Sequence, residues 1–217
     1  MPPTVQRPLG PGEVHVWRCD LLADESSVAR LRCWLSGDEA ARERRFRHER
    51  DRRRFAVAHG RLRDILGFHL GRHPADVAFA AGPGGKPEVP PLLFSLSHSA
   101  ELAVVAVSAG PDVGVDVERL RRVHDPEAAA AFALSPAEQA VLGDATTPGD
   151  FLRSWTRREA YLKGRGEGIS AGEEADDVQA REQWDVRDLD PAPGYVAALA
   201  VRCRSPEVRF WHWEPLA

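Results

Sequence analysis

Cysteine is scarce in this chain of 217 residues, and lysine is scarcer still. The three cysteines, Cys19, Cys33 and Cys203, stand far apart with no Cys-x-x-Cys among them. That excludes a disulfide framework and a cysteine-built zinc site, and it agrees with a reducing compartment. Long apolar runs are missing as well. The stretch from Ala128 to Leu134 is typical, far short of the roughly 20 residues a membrane-crossing helix requires, so no membrane role is expected. Nor is there an excess of positive charge: 29 basic residues against 33 acidic ones leave −4, and no global field favours nucleic acid. The opening Met1-Pro2-Pro3-Thr4-Val5-Gln6-Arg7-Pro8 lacks the apolar stretch of a secretory signal, so a cytoplasmic protein is expected. With 43% apolar and 29% charged residues, the chain has enough to bury one large core or two small ones. Disorder is excluded as its main state.

The shortage of lysine is informative. Of the 29 basic side chains 27 are Arg, leaving only Lys86 and Lys163. A bias of that strength converts most cationic positions where either residue would serve. The two surviving ammonium groups are therefore candidates for work a planar guanidinium does badly.

Hydrophobic periodicity divides the chain into helices and strands. Glu13 to Trp17 alternates as a strand does. Ser36 with Glu39 forms a capping box that opens a helix through about Arg45, and a second helix spans about Arg50 to Leu70, stopped by Gly71. Arg42 to Arg54 is densely cationic, and a solvated face explains most of that run. Gly82-Pro83-Gly84-Gly85-Lys86-Pro87 reads as a loop with exposed amides. Strands are expected over Leu92 to Leu96 and Leu102 to Val107, with Ser97-His98-Ser99-Ala100 turning between them. After Gly110-Pro111 come a strand over Val113 to Glu118 and helices around Pro126 to Leu142 and Asp150 to Leu162. Strands near Tyr195 to Val201 and Val208 to Trp213 follow. The class is α+β, with two halves at 1–109 and 110–217 and a ligand cleft expected between them.

Three constellations carry chemistry. In Val113-Gly114-Val115-Asp116-Val117-Glu118 the period of two puts Asp116 and Glu118 on one face. Adjacent carboxylates repel unless water or a cation neutralises them; an acidic strand edge turned to solvent and a Mg²⁺ site both satisfy the pattern. In the helix from Phe151 to Lys163, read as ended by Gly164, Glu159 and Lys163 sit at i and i+4 and share one stripe. Such a pair is commonplace on surfaces, but this one uses one of only two lysines. His98 ends a strand preceded by the Gly-rich loop that carries Lys86, and together these supply cations, hydroxyls and amides suited to a phosphorylated ligand.

Taken in order, Gly85-Lys86-Pro87, Ser97-His98-Ser99, Gly114-Val115-Asp116-Val117-Glu118 and the helix Trp155-Thr156-Arg157-Arg158-Glu159-Ala160-Tyr161-Leu162-Lys163 closely resemble the 4′-phosphopantetheinyl transferases. The likeness is to their long, monomeric, surfactin-synthetase-activating type. Arg42 to Arg54, with Arg45-Phe46, resembles that family's first half, and Gly164 to Ser170 its post-helix loop. Arg158 departs from the family's usual Lys. The resemblance implies a pseudo-twofold pair of halves with coenzyme A bound between them. It implies transfer of phosphopantetheine to a serine of an apo acyl or peptidyl carrier protein, with release of adenosine 3′,5′-bisphosphate. It implies Mg²⁺, or Mn²⁺ on the same oxygens, held by Asp116, Glu118 and Glu159; Glu159 as the base, directly or through a water; and Lys163 against the pyrophosphate. Arg42, Lys86 and His98, with Ser97, Gly85 and Pro87 assisting and Arg54 added more loosely, are implied as contacts of the 3′-phosphate and adenosine. A Mg²⁺-dependent nucleotide phosphohydrolase would use the same carboxylates with water as acceptor, and a coenzyme A-binding module would keep the pocket without turnover.

Overall fold

The computed structural model describes residues 9–10, 12–82, 85–143, 146–166 and 181–213. The expected N-terminal arm, the tip of the Gly-rich loop (83–84) and the resemblance over 167–170 lie outside them. Among the described residues no helix is long and apolar enough to cross a membrane.

Strand β1 (Glu13–Asp20) is followed by helices α1 (Glu25–Arg32), α2 (Gly37–Arg45) and α3 (Glu49–Leu70). A small hairpin, β2 (Ala80–Ala81) and β3 (Pro87–Glu88), precedes β4 (Leu93–Ser99), β5 (Leu102–Ser108) and β6 (Val113–Arg119). Helices α4 (Pro126–Ala133), α5 (Pro136–Leu142) and α6 (Pro148–Arg165) then lead to β7 (Asp185–Leu189), β8 (Tyr195–Val201) and β9 (Glu207–His212).

A four-stranded sheet has the order β4-β5-β1-β9 and a three-stranded one the order β6-β8-β7. Strand β5, Leu-Ala-Val-Val-Ala-Val-Ser, is apolar at nearly every position because both of its faces are covered. One face, with Trp17, Cys19, Val105 and Val107, packs under Val57, Leu62, Ile65 and Leu66 of α3. The other, with Val14, Val16, Leu102 and Val104, meets Val113, Val115, Val117, Leu199 and Val201 of the second sheet. Behind that sheet lie Ala160 and Leu162 of α6 and, towards α4, Leu152 with Ala130. The layers are therefore helix, sheet, sheet, helix. Strand β9 returns to the first sheet, where it pairs parallel with β1 in the register Val16 to Phe210.

Local signals account for most boundaries. Ser36 caps α2 through a full capping box with Glu39, and Gly71, at φ 64°, ends α3. Two expectations are corrected, and one helix carries no expectation at all. Ser97, His98 and Ser99 belong to β4, and the turn falls at Ala100, which has φ 50°; pairing with β5 continues as far as Ser99 with Leu102. Helix α6 is not stopped by Gly164 but runs to Arg165, with Gly166 at φ 76° as its left-handed cap. Helix α1, capped by Asp24, was not anticipated, because its short pattern carries only Val28 and Leu31 to the core.

Candidate active site

Strand β4 presents Ser95, Ser97 and Ser99 at a spacing of two, so their hydroxyls share one face. That face meets the free edge of β6, whose other edge pairs with β8. The backbone N–H groups of Val115, Val117 and Arg119 donate to Ser95 Oγ (3.1 Å), Ser97 Oγ (3.3 Å) and Ser99 Oγ (3.1 Å). Three hydroxyls thus replace a backbone ladder and satisfy edge donors that would otherwise be costly to bury. Two of them also donate to carboxylates: Ser97 Oγ to Asp116 Oδ1 at 2.7 Å, and Ser99 Oγ to Glu118 Oε2 at 2.8 Å. Sequence reasoning singled out Ser97 alone; the Ser-x-Ser-x-Ser alternation was the signal for all three.

Helix α6 delivers the remaining groups. Its first turn is fixed by the capping box of Thr147 and Asp150, and its inner face packs Tyr161 edge-on to Trp184. Lys163 Nζ donates to Asp116 Oδ1 (2.5 Å) and Ser97 Oγ (3.2 Å), which joins helix to strand. The contact is possible because Gly114 faces Ala160 and Gly164; an added Cβ on Gly114 would lie 1.9 Å from the Ala160 carbonyl oxygen. Gly164 sits inside the helix because a Cβ there would strike the Trp184 ring at 2.5 Å and crowd Gly114 N at 3.3 Å.

Glu159 and Asp116 are buried, at 7% and 4% exposure. Burial raises the Glu159 carboxyl pKa, as do the nearby Asp116 and Glu118, while Lys163 and Arg158 pull it down. Among the described residues no three His, Cys, Asp or Glu side chains stand close enough to form a ready metal cage. Of the three carboxylates expected to converge, Asp116 accepts from Lys163 and Ser97, Glu118 accepts from Ser99, and Glu159 feels the charge of Lys163. Two buried oxygens, Asp116 Oδ2 and Glu159 Oε1, have no hydrogen-bond partner among the described residues. Buried carboxylate oxygens left without donors are unfavourable, and a hard divalent cation takes ligands of this kind, so the donor set fits Mg²⁺.

Beside this acidic joint opens a cavity of about 1020 Å³. Arg42, Gly85, Lys86, Pro87, Ser97, His98 and Lys163 all line it, so seven expected residues from four separate stretches of chain converge. Arg54 does not line it; its guanidinium pairs with Glu101, and Asp51 lies 3.6 Å away. Arg158, the departure from the family pattern, donates to Glu138 Oε2 at 2.9 Å, and Arg181 donates to Glu138 Oε1 at 2.6 Å. Glu138, missed in the sequence, thereby ties α5 to α6.

His98 has its pKa lowered to about 4, first by the protein packed around it and then by His59, Lys163, Arg42 and Arg54. His69, in the core beside His15 and Trp17, is also lowered to about 4, chiefly by burial. The unfolded chain takes up these protons near the ordinary value of 6.5, whereas the native state does so only near 4. Stability from half-buried His69 is complete above pH 6.5 and is lost as pH falls towards 4, whereas His98, exposed on the cavity wall, adds little because water screens its charge there. Thermal melts are expected to show a clear drop in Tm from pH 7.5 to pH 5, and a shallower slope in His69→Asn. An unchanged slope in that variant would take His69 out of the account.

The family model described as the 4′-phosphopantetheinyl transferase superfamily matches residues 112–213, which hold Asp116, Glu118, Glu159 and Lys163. The chain is similar to the 4′-phosphopantetheinyl transferase HetI of Nostoc sp., with 38% identity over 93% of this chain and 92% of that protein. It is similar to the 4′-phosphopantetheinyl transferase ffp of Bacillus subtilis, with 26% identity over 84% and 89% of the two chains. The 4′-phosphopantetheinyl transferase Sfp of Bacillus subtilis matches at 25% identity over 65% and 64%. With the likeness to HetI extending over nearly the full length of both chains, and the acidic joint inside the matched region, this chain belongs to the 4′-phosphopantetheinyl transferase family.

Proposed function

We propose that the cavity and the acidic joint beside it form one active site, in which coenzyme A lies across the halves 1–109 and 110–217. The observation that carries this reading is the placement of Lys163: an α6 residue lining a cavity otherwise built largely by the first half, with its ammonium on Asp116 of β6. The helix, sheet, sheet, helix layering supports a pseudo-twofold relation between the halves. As a phosphopantetheinyl transferase, the chain moves 4′-phosphopantetheine from coenzyme A to a serine of an apo carrier protein and releases adenosine 3′,5′-bisphosphate.

Arg42, Ser97 and His98, with the Gly85 and Pro87 backbone, bind the adenosine and its 3′-phosphate, because together they offer charge and donors on one wall of the cavity. Asp116, Glu118 and Glu159 would hold Mg²⁺ or Mn²⁺, which when bound supplies positive charge against the diphosphate. Glu159 takes the proton of the carrier serine, directly or through a water. The serine oxygen then bonds to the pantetheine-side phosphorus, and the bond from that phosphorus to the bridging oxygen breaks. Lys163 Nζ donates to the oxygen that leaves with the nucleotide, a task that suits a compact charge.

Mass spectrometry of an apo carrier incubated with coenzyme A and Mg²⁺ tests this reading. Addition of phosphopantetheine to the carrier serine, abolished by a chelator, is the expected result. Nucleotide hydrolysis with an unmodified carrier would replace the reading with a phosphohydrolase.

A further inference from the structure

The family resemblance assigns Lys86 to the 3′-phosphate, yet two of the three N–H donors of its ammonium are placed elsewhere. Lys86 Nζ donates to the carbonyl oxygen of Val113 at 3.0 Å and to that of Gly164 at 3.1 Å. These two carbonyls flank the closest approach of β6 and α6. Val113 precedes Gly114, and Gly164 is the residue whose N and Cα a Cβ on Gly114 would strike, at 2.3 and 2.8 Å.

The end of α6 explains the need for a donor there. A helix leaves its last four carbonyls without intrahelical partners and carries partial negative charge at that end. The N–H of the cap Gly166 reaches Leu162 O and Lys163 O, and does not serve Gly164 O. Lys86 supplies that donor from another part of the chain. The hairpin of β2 and β3 aims it: Gly82 N donates to Lys86 O at 2.9 Å, Ala81 pairs with Pro87, and Gly85 takes φ 81°.

We infer that Lys86 is a positioning residue, a cross-chain cap that holds the last turn of α6 against β6 and thereby fixes Lys163, its neighbour through Gly164, on Asp116 and Ser97. Chain bias fits this role: one ammonium bonds two carbonyls that lie close together, and a planar fork spreads its donors apart.

This inference rests on the proposed transfer reaction, and steady-state kinetics with coenzyme A and 3′-dephospho-coenzyme A separate the two. A wild-type protein that modifies no carrier would defeat the reaction itself. Given wild-type transfer, Lys86→Met is expected to lower kcat by about 10- to 100-fold with either donor, because Lys163 loses its fixed position. The preference between the donors, taken as the ratio of their kcat/KM values, is expected to stay at its wild-type value. A collapse of that preference would make Lys86 a 3′-phosphate ligand, and a wild-type kcat would show that nothing depends on the cap. Either result overturns the inference. Should Lys86→Met fail to fold, Lys86→Arg, which keeps the charge, is read by the same two numbers: a lowered kcat with unchanged preference is expected, and a wild-type kcat or an altered preference overturns it.

Discussion

Gly114→Ala is expected to destroy transfer although it touches no reacting group. The new methyl would stand 1.9 Å from Ala160 O and 2.3 Å from Gly164 N, and both obstacles are backbone. No side chain can move aside, so α6 must withdraw from β6 by about 1 Å. A displacement of that size at a catalytic group costs about 10²-fold. Forced overpacking costs a further 1–3 kcal/mol or so of stability. The expected result is a lowered Tm together with a kcat reduced about 100-fold when assayed well below the melting point. Gly37→Ala is the control, since its added methyl meets nothing within 4 Å. A Gly114→Ala protein with normal kcat would show that the close contact of strand and helix does not set the position of Glu159 and Lys163.

Asp116→Asn carries the other large effect. The carboxylate accepts from Lys163 and Ser97 through Oδ1 and offers the unpartnered Oδ2 to a cation. The amide keeps the shape and one acceptor but loses the charge that both Lys163 and a divalent ion would use. Loss of kcat by about 10²-fold or more is expected, with secondary structure by circular dichroism unchanged. Calorimetric titration of the variant with Mg²⁺ and coenzyme A is expected to show the metal response weakened. A variant that turns over normally and binds Mg²⁺ as the wild type does would remove Asp116 from the site.

Both variants act on the joint between the sheets, and that joint shows how far the sequence could be read. The strand period of two placed Asp116 and Glu118 together, and the helical period placed Glu159 with Lys163, because these are short-range consequences of backbone geometry. Capping boxes marked α2, and the rarity of lysine drew attention to Lys86 and Lys163. The same local rules misplaced the end of α6: Gly164 looks like a terminator when only its neighbours are considered, and its real reason lies in the Trp184 ring and Gly114 packed against it. They also put Ser97 to Ser99 in a turn, since serine is common in turns and nothing local shows that β6 needs hydroxyl partners.

The amino-acid order by itself determined the α+β class, the identity of the polar groups and their pairing within each element, because propensity, period and capping act over a few residues. Tertiary structure alone decided that Lys163 neutralises Asp116, that Lys86 spends its ammonium on two carbonyls, that Arg158 belongs to Glu138, and that β9 returns to the first sheet. Each of those contacts joins residues tens of positions apart or more, and which distant partner a charge or donor meets is set by how the layers pack, a matter no local pattern encodes.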